Sequence, residues 1–138
     1  AINSCVDMGA SITMAKGASD AGLYPSVAVI GDSTFTHSGM TGLLDAVNEN
    51  SNIVVVISDN ETTAMTGGQD SQGTGKIEAI CLGLGVDPAH VRVFVPLKKN
   101  YEEMKQIIRE EVEYKGLSVL IPRRECIQTM KRKHKASK

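Results

Sequence analysis

The sequence contains no tryptophan and only two phenylalanines and three tyrosines, so it has few of the flat rings on which single-stranded bases stack. Positive charge is not in excess either. Fifteen Lys and Arg stand against sixteen Asp and Glu, a formal net charge of -1, which speaks against nucleic acid as a partner. The three cysteines, Cys5, Cys81 and Cys126, show no C-x-x-C spacing. That argues against a zinc or iron-sulfur site within this chain and fits a reducing compartment. There is no signal peptide and no apolar run near the roughly 18 residues that cross a bilayer, so a cytoplasmic protein with no membrane partner is expected. At 138 residues the chain is one domain's worth, and small-molecule chemistry is the class that remains.

What is present is an alternation of apolar strands and amphipathic helices. Residues 5–22 are rich in Gly and Ala and read as a loop running into a helix that Leu23-Tyr24-Pro25 ends. Gly17 in that helix implies close approach of another backbone, as in tight helix-on-sheet packing, or of a ligand, since glycine costs a helix interior about 1 kcal/mol relative to alanine. Residues 26–30 form an apolar run expected to be buried on both faces of a parallel sheet. A helix is predicted from near Ser38, with Met40, Leu43, Leu44 and Val47 as its buried stripe, followed by a β-branched strand over 53–57. Residues 61–76 carry no periodicity and several glycines, the mark of a long, flexible connection, and connections of that length are functional or disordered.

The helix with Ile77, Ile80, Cys81 and Leu84 on its apolar face is closed by Gly83 and Gly85, and Cys81 reads as core, not nucleophile. Val91, Val93 and Val95 alternate in a third strand stopped by Pro96. Asn100 with Glu103 forms an N-cap pair for a helix whose stripe is Tyr101, Met104, Ile108 and Val112. A fourth strand covers 117–121. The pattern predicts an α/β fold, a doubly wound, mainly parallel sheet with helices on both faces. Residues 1–126 make the domain and 127–138 a basic tail or linker.

The chemistry gathers at two strand tips, Gly31-Asp32-Ser33 and Ser58-Asp59-Asn60. A right-handed crossover points both carboxyl ends at one edge of the sheet, the edge where open α/β sheets bind ligands. The carboxylate of Asp32, the amide oxygen of Asn60 and the backbone carbonyl of Thr62 then make an all-oxygen half-shell. Mg²⁺ takes such a set, with water and substrate phosphate filling the remaining octahedral positions. The helix start after Ser33 adds N–H groups and a positive dipole end suited to a diphosphate.

The motif Gly31-Asp32-Ser33, a spacer of about 25 residues, then Asp59-Asn60 resembles the thiamine diphosphate fingerprint. GDSTFTHSG together with DNETTAMTGGQ, preceded by MGASITMAKGASDAG, is similar to the 2-oxoacid:ferredoxin oxidoreductases, and within them to the large subunit of the indolepyruvate enzymes. The resemblance implies Asp32, Asn60 and the Thr62 carbonyl as Mg²⁺ ligands, with Gly31, Ser33, Ala64, Met65 and Thr66 near the diphosphate and Gly9 to Ser11 approaching the cofactor. Ser33 stands where the general fingerprint has Gly, and Asp59 replaces the first Asn and reads as turn-stabilising.

The family oxidatively decarboxylates 2-oxoacids, passes electrons through iron-sulfur clusters to ferredoxin and gives the acyl group to coenzyme A. Its activating glutamate and cluster cysteines belong to other domains. The resemblance therefore implies a fragment of a larger subunit, in an oligomer with a second subunit, inactive alone and with no catalytic residue of its own.

Two other readings use the same residues. A Gly-Asp-Ser hydrolase would take Ser33 as nucleophile, His90 of Asp87-Pro88-Ala89-His90 as base and Asn60 as oxyanion donor. A metal-dependent adhesion module would use Asp32, Thr34 and Thr36 as an Asp-x-Ser-x-Ser motif. His37 reads as a polar residue capping its turn, with contact to the diphosphate or substrate as the alternative, and Arg123 and Arg124, just past the fourth strand at the binding edge, read as solvated, with coenzyme A or another subunit as the alternative partner.

Overall fold

Strand β1 (Ser26–Gly31) lies parallel to β2 (Ile53–Ser58), in a register that runs from Ser26 opposite Ile53 to Gly31 opposite Ser58. The computed structural model describes residues 2–60, 62–63, 69–70 and 75–125. β2 pairs on its other side with β6 (Ser118–Pro122), and β6 with β5 (Val91–Phe94), so the sheet has order β1-β2-β6-β5 with every pair parallel. The expected doubly wound architecture is present. Helices α1 (Ser11–Asp20), α3 (Met40–Asn48) and α4 (Ile77–Gly83) cover one face and α5 (Tyr101–Glu113) the other.

The main core joins Ile12 of α1, Phe35 and Leu43 to Ile30, Val55, Ile57, Val119 and Ile121 of the sheet, with Ile77 and Cys81 from α4. A smaller cluster sets Ile107 of α5 against Val54 and Leu120. Each such aliphatic side chain, fully buried, contributes about 1.5–3 kcal/mol before entropy is set against it. Burial also pushes the Cys81 thiol up to about 12, so it stays protonated and packs as an apolar group.

Several local expectations are corrected. β1 is not buried on both faces, because Val27 is 48% and Val29 61% exposed. It lies at the end of the described strand order, and α5 packs over β2 and β6. The helix after β1 starts at Asp32, not near Ser38. It begins as a short α turn, α2 (Asp32–Thr34), passes through a π-helical turn (Phe35–Gly39), and continues as α3. Leu44 is exposed, while Gly42, Leu43 and Ala46 face inward. The close approach lies here and not at Gly17. A Cβ on Gly42 would sit 3.2 Å from Thr13 Cγ2, whereas one on Gly17 would meet nothing within 4 Å.

Helix α1 stops before Pro25. Gly22 N–H bonds Ser19 O and Leu23 N–H bonds Ala18 O, the paired bonds of a Schellman ending. Asn100 does not cap α5 through its side chain; its Nδ2 donates to Val95 O. The buried positions of α5 are Ile107 and Glu111, with Tyr101 and Ile108 exposed. Within residues 61–76, two short strands, β3 (Thr62–Thr63) and β4 (Gln69–Asp70), pair antiparallel.

Candidate functional site at the carboxyl edge of the sheet

The parallel register places the ends of β1, β2 and β6 at one edge. Gly31 ends β1 in extended conformation and is the N-cap of the helix that follows. Asp32 is therefore the first helical residue, 3% exposed, and its Oδ1 accepts from the Ser33 amide at 2.7 Å. Since Gly31 and Ser58 are register partners, Asp32 and the segment Asp59-Asn60 continue from adjacent strands. Asn60 is half-buried there. Thr62 follows in β3, with Asp70 opposite it. Ala64, Met65 and Thr66 lie outside the described residues.

The segment before α1 comes to the same helix start. Asp7 Oδ1 accepts from the Ala10 amide at 3.0 Å, and Gly9 adopts φ +129°, where a Cβ would stand 2.5 Å from Ser38 Oγ. The left-handed backbone favours glycine at that position. Ser11, the first residue of α1, has a buried Oγ with no hydrogen-bond partner among the described residues. A cleft of about 660 Å³ runs from here past Val6, Met8 and Thr34 to Gly31 and the exposed Val29.

These features fit a magnesium-diphosphate group. A buried carboxylate, an amide and a carbonyl are hard oxygen donors, and the helix beginning at Asp32 turns its first N–H groups toward the same edge. The orphaned Ser11 hydroxyl adds a donor beside a cleft with room for an organic ring. Among the described residues no cluster of three His, Cys, Asp or Glu gathers, and a site with a single carboxylate does not require one.

A network absent from the sequence reading surrounds Asp59. The Asp59 side chain is fully buried, and Arg123 Nε donates to its Oδ2 at 2.7 Å. Arg123 Nη1 reaches Glu78 Oε2 in the first turn of α4 at 2.9 Å. Hydrogen bonding to Asp59, then to Glu78, raises the guanidinium pKa above its ordinary value. Arg123 is thus not a solvated arginine; Arg124 is exposed. No local pattern announces this link, because it depends on β6 lying beside β2.

The two rival arrangements are not assembled. His90 immediately precedes β5, at the amino edge of the parallel sheet, whereas Ser33 follows the carboxyl end of β1. His90 Nδ1 is 2.7 Å from Oε2 of the buried Glu111, which also accepts from Ser118 Oγ at 2.8 Å and Arg92 Nη1 at 3.1 Å, and the imidazole stacks on Tyr114. Asp32, Thr34 and Thr36 lie on a helix, where residues two apart face away from one another. Thr36 Oγ1 donates to the carbonyls of Asp32 and Ser33. His37 is exposed on the π turn.

Comparison with known proteins gives a consistent set of relatives. Residues 2–121 match the family described as thiamine pyrophosphate enzyme, C-terminal TPP binding domain. Indolepyruvate oxidoreductase subunit IorA of Pyrococcus horikoshii is 38% identical over 72% of this chain and 16% of its own. The Archaeoglobus fulgidus protein of that name is 37% identical over 86% of this chain and 20% of its own, and that of Pyrococcus abyssi 34% identical over 91% and 22%. The chain therefore spans about a fifth of the length of these curated relatives. Among solved structures, a thiamine diphosphate-dependent 4-hydroxybenzoylformate decarboxylase from Rhodococcus jostii superposes with TM-score 0.64 at 21% identity, covering 86% of this chain and 23% of the other. The benzoylformate decarboxylase of Polynucleobacter necessarius gives TM-score 0.63 at 23% identity, with the same coverage. These two establish the shared fold.

Proposed function

This chain belongs to the family of C-terminal TPP-binding domains of thiamine pyrophosphate enzymes, and on that premise we propose that it holds Mg²⁺ and thiamine diphosphate in a 2-oxoacid oxidoreductase acting on indolepyruvate. The observation that supports the reading is that β1 and β2 end together, Gly31 opposite Ser58, so that the buried Asp32 and the segment Asp59-Asn60 leave adjacent strands at one edge. The indolepyruvate assignment is supported by relatives of that name at 34–38% identity.

In this reading Asp32, Asn60 and the Thr62 carbonyl would hold Mg²⁺. Gly31, Ser33, Ala64, Met65 and Thr66 would hold the diphosphate, and the cleft bordered by Gly9 and Ser11 would take the rest of the cofactor. Thiamine diphosphate, when bound, supplies the carbon nucleophile that opens a 2-oxoacid to decarboxylation. The chain's own share is to bind the anionic end, orient the cofactor against the cleft and keep bulk water from it. Iron-sulfur clusters, coenzyme A binding and transfer to ferredoxin belong to other parts of the full enzyme and to its second subunit.

The test uses the full-length subunit assembled with its partner. Indolepyruvate should drive coenzyme A-dependent reduction of ferredoxin or a viologen dye, and Asp32→Ala should abolish it. A full enzyme that decarboxylates indolepyruvate equally well with Asp32→Ala would refute the site.

A further inference from the structure

We propose that Arg123 is a positioning residue for the cofactor site, holding Asn60 and the first turn of α4 in fixed relation. The proposal rests on the reading of Asp32 and Asn60 as ligands of the magnesium-diphosphate group. Asp59, the residue before Asn60, is locked into the sheet by backbone and side chain together. Its N–H donates to Pro122 O at 3.1 Å, its carbonyl accepts from Arg124 N–H at 2.9 Å, and its carboxylate accepts from Arg123 Nε at 2.7 Å. Arg123 is itself anchored to the neighbouring strand by its N–H on Phe94 O at 2.9 Å. Its Nη1 then extends to Glu78 at the start of α4.

One guanidinium thus ties the two described points between which the chain leaves β2 and returns to a helix, the interval that contains Thr62. A planar group with several fixed donors can serve two carboxylates at once, which a lysine ammonium does less well. A ligand oxygen is only as well placed as the residue before it. Groups that orient metal ligands in this way typically cost about 10- to 100-fold in metal affinity when lost.

The experiment compares the full-length subunit assembled with its partner, as wild type and with Arg123→Met, Arg123→Lys, Glu78→Gln or Asp32→Asn. Mn²⁺ in place of Mg²⁺ is titrated with thiamine diphosphate present and followed by its electron paramagnetic resonance spectrum, with circular dichroism as the folding control. Arg123→Met should remain folded yet bind Mn²⁺ about 10- to 100-fold more weakly with an altered spectrum, and Arg123→Lys should recover part of the affinity. A lowered melting temperature with wild-type Mn²⁺ affinity and spectrum would overturn the proposal. Should Arg123→Met not fold, Glu78→Gln decides: a several-fold loss supports the clamp, and wild-type affinity overturns it. If the wild type binds, Asp32→Asn does not, and Arg123→Met binds as wild type, only the role of Arg123 fails. If the wild type itself takes up neither ion nor cofactor, the reading of the site fails and this proposal with it.

Discussion

Asp32, Asp59 and Glu111 are buried carboxylates, and burying an ionised carboxylate costs several kcal/mol unless donors surround it. Glu111 at the amino edge meets that cost with His90, Arg92 and Ser118, which makes it a structural charge remote from the proposed site. Glu111→Leu should therefore lower stability by about 2 kcal/mol, read from the urea midpoint, because it strips a shared acceptor from three donors. The same variant should leave cofactor affinity within about twofold of wild type, as expected of distant, independent sites. That Asp32 and Asn60 follow neighbouring strand ends was legible in the sequence, because each stands just past an apolar strand run. Arg123 was not, because its partners Asp59 and Glu78 are distant in sequence and meet it only once β6 is placed beside β2.

At the scale of elements, large apolar residues reported the core well in the central strands and less well in the helices. β2 is buried along most of its length, and its run of β-branched residues says so directly. In α3 the inward face includes Gly42 and Ala46, whose small side chains let α1 approach but carry little hydrophobic signal. The buried side of α3 is thus centred on Gly42, Leu43 and Ala46, which turns Leu44 outward although its size and spacing mark it as core. In α5 the stripe is centred on Ile107 and a buried glutamate, and a count of apolar residues passes over the latter. Gly17 was read as a packing glycine, yet a Cβ there meets nothing within 4 Å. Gly17→Ala should accordingly stabilise the chain by about 0.5–1 kcal/mol, visible as a raised thermal midpoint.

Across the whole molecule, topology turns separate sequence features into one site. Parallel strands bring Asp32, Asn60 and Arg123 to the same edge, and the crossovers send His90 to the opposite one, which dismantles the hydrolase reading despite its matching motifs. The fold class was legible because apolar strands alternate with amphipathic segments. The strand order β1-β2-β6-β5 was not, since nothing in the local pattern says that the last strand inserts between two earlier ones. Among the described residues no helix is long and apolar enough to cross a membrane.

The central claim is that this edge binds thiamine diphosphate through Mg²⁺ on Asp32, and thermal unfolding of the chain with both ligands tests it most directly. At a ligand concentration about 100 times the dissociation constant, binding to the folded state alone adds about 2.7 kcal/mol, which for a domain of this size raises the midpoint by roughly 10 °C. The account predicts that rise for the wild type only when Mg²⁺ and thiamine diphosphate are both present, and its loss in Asp32→Ala. An equal rise in Asp32→Ala, or a rise in the wild type that does not depend on Mg²⁺, would contradict it.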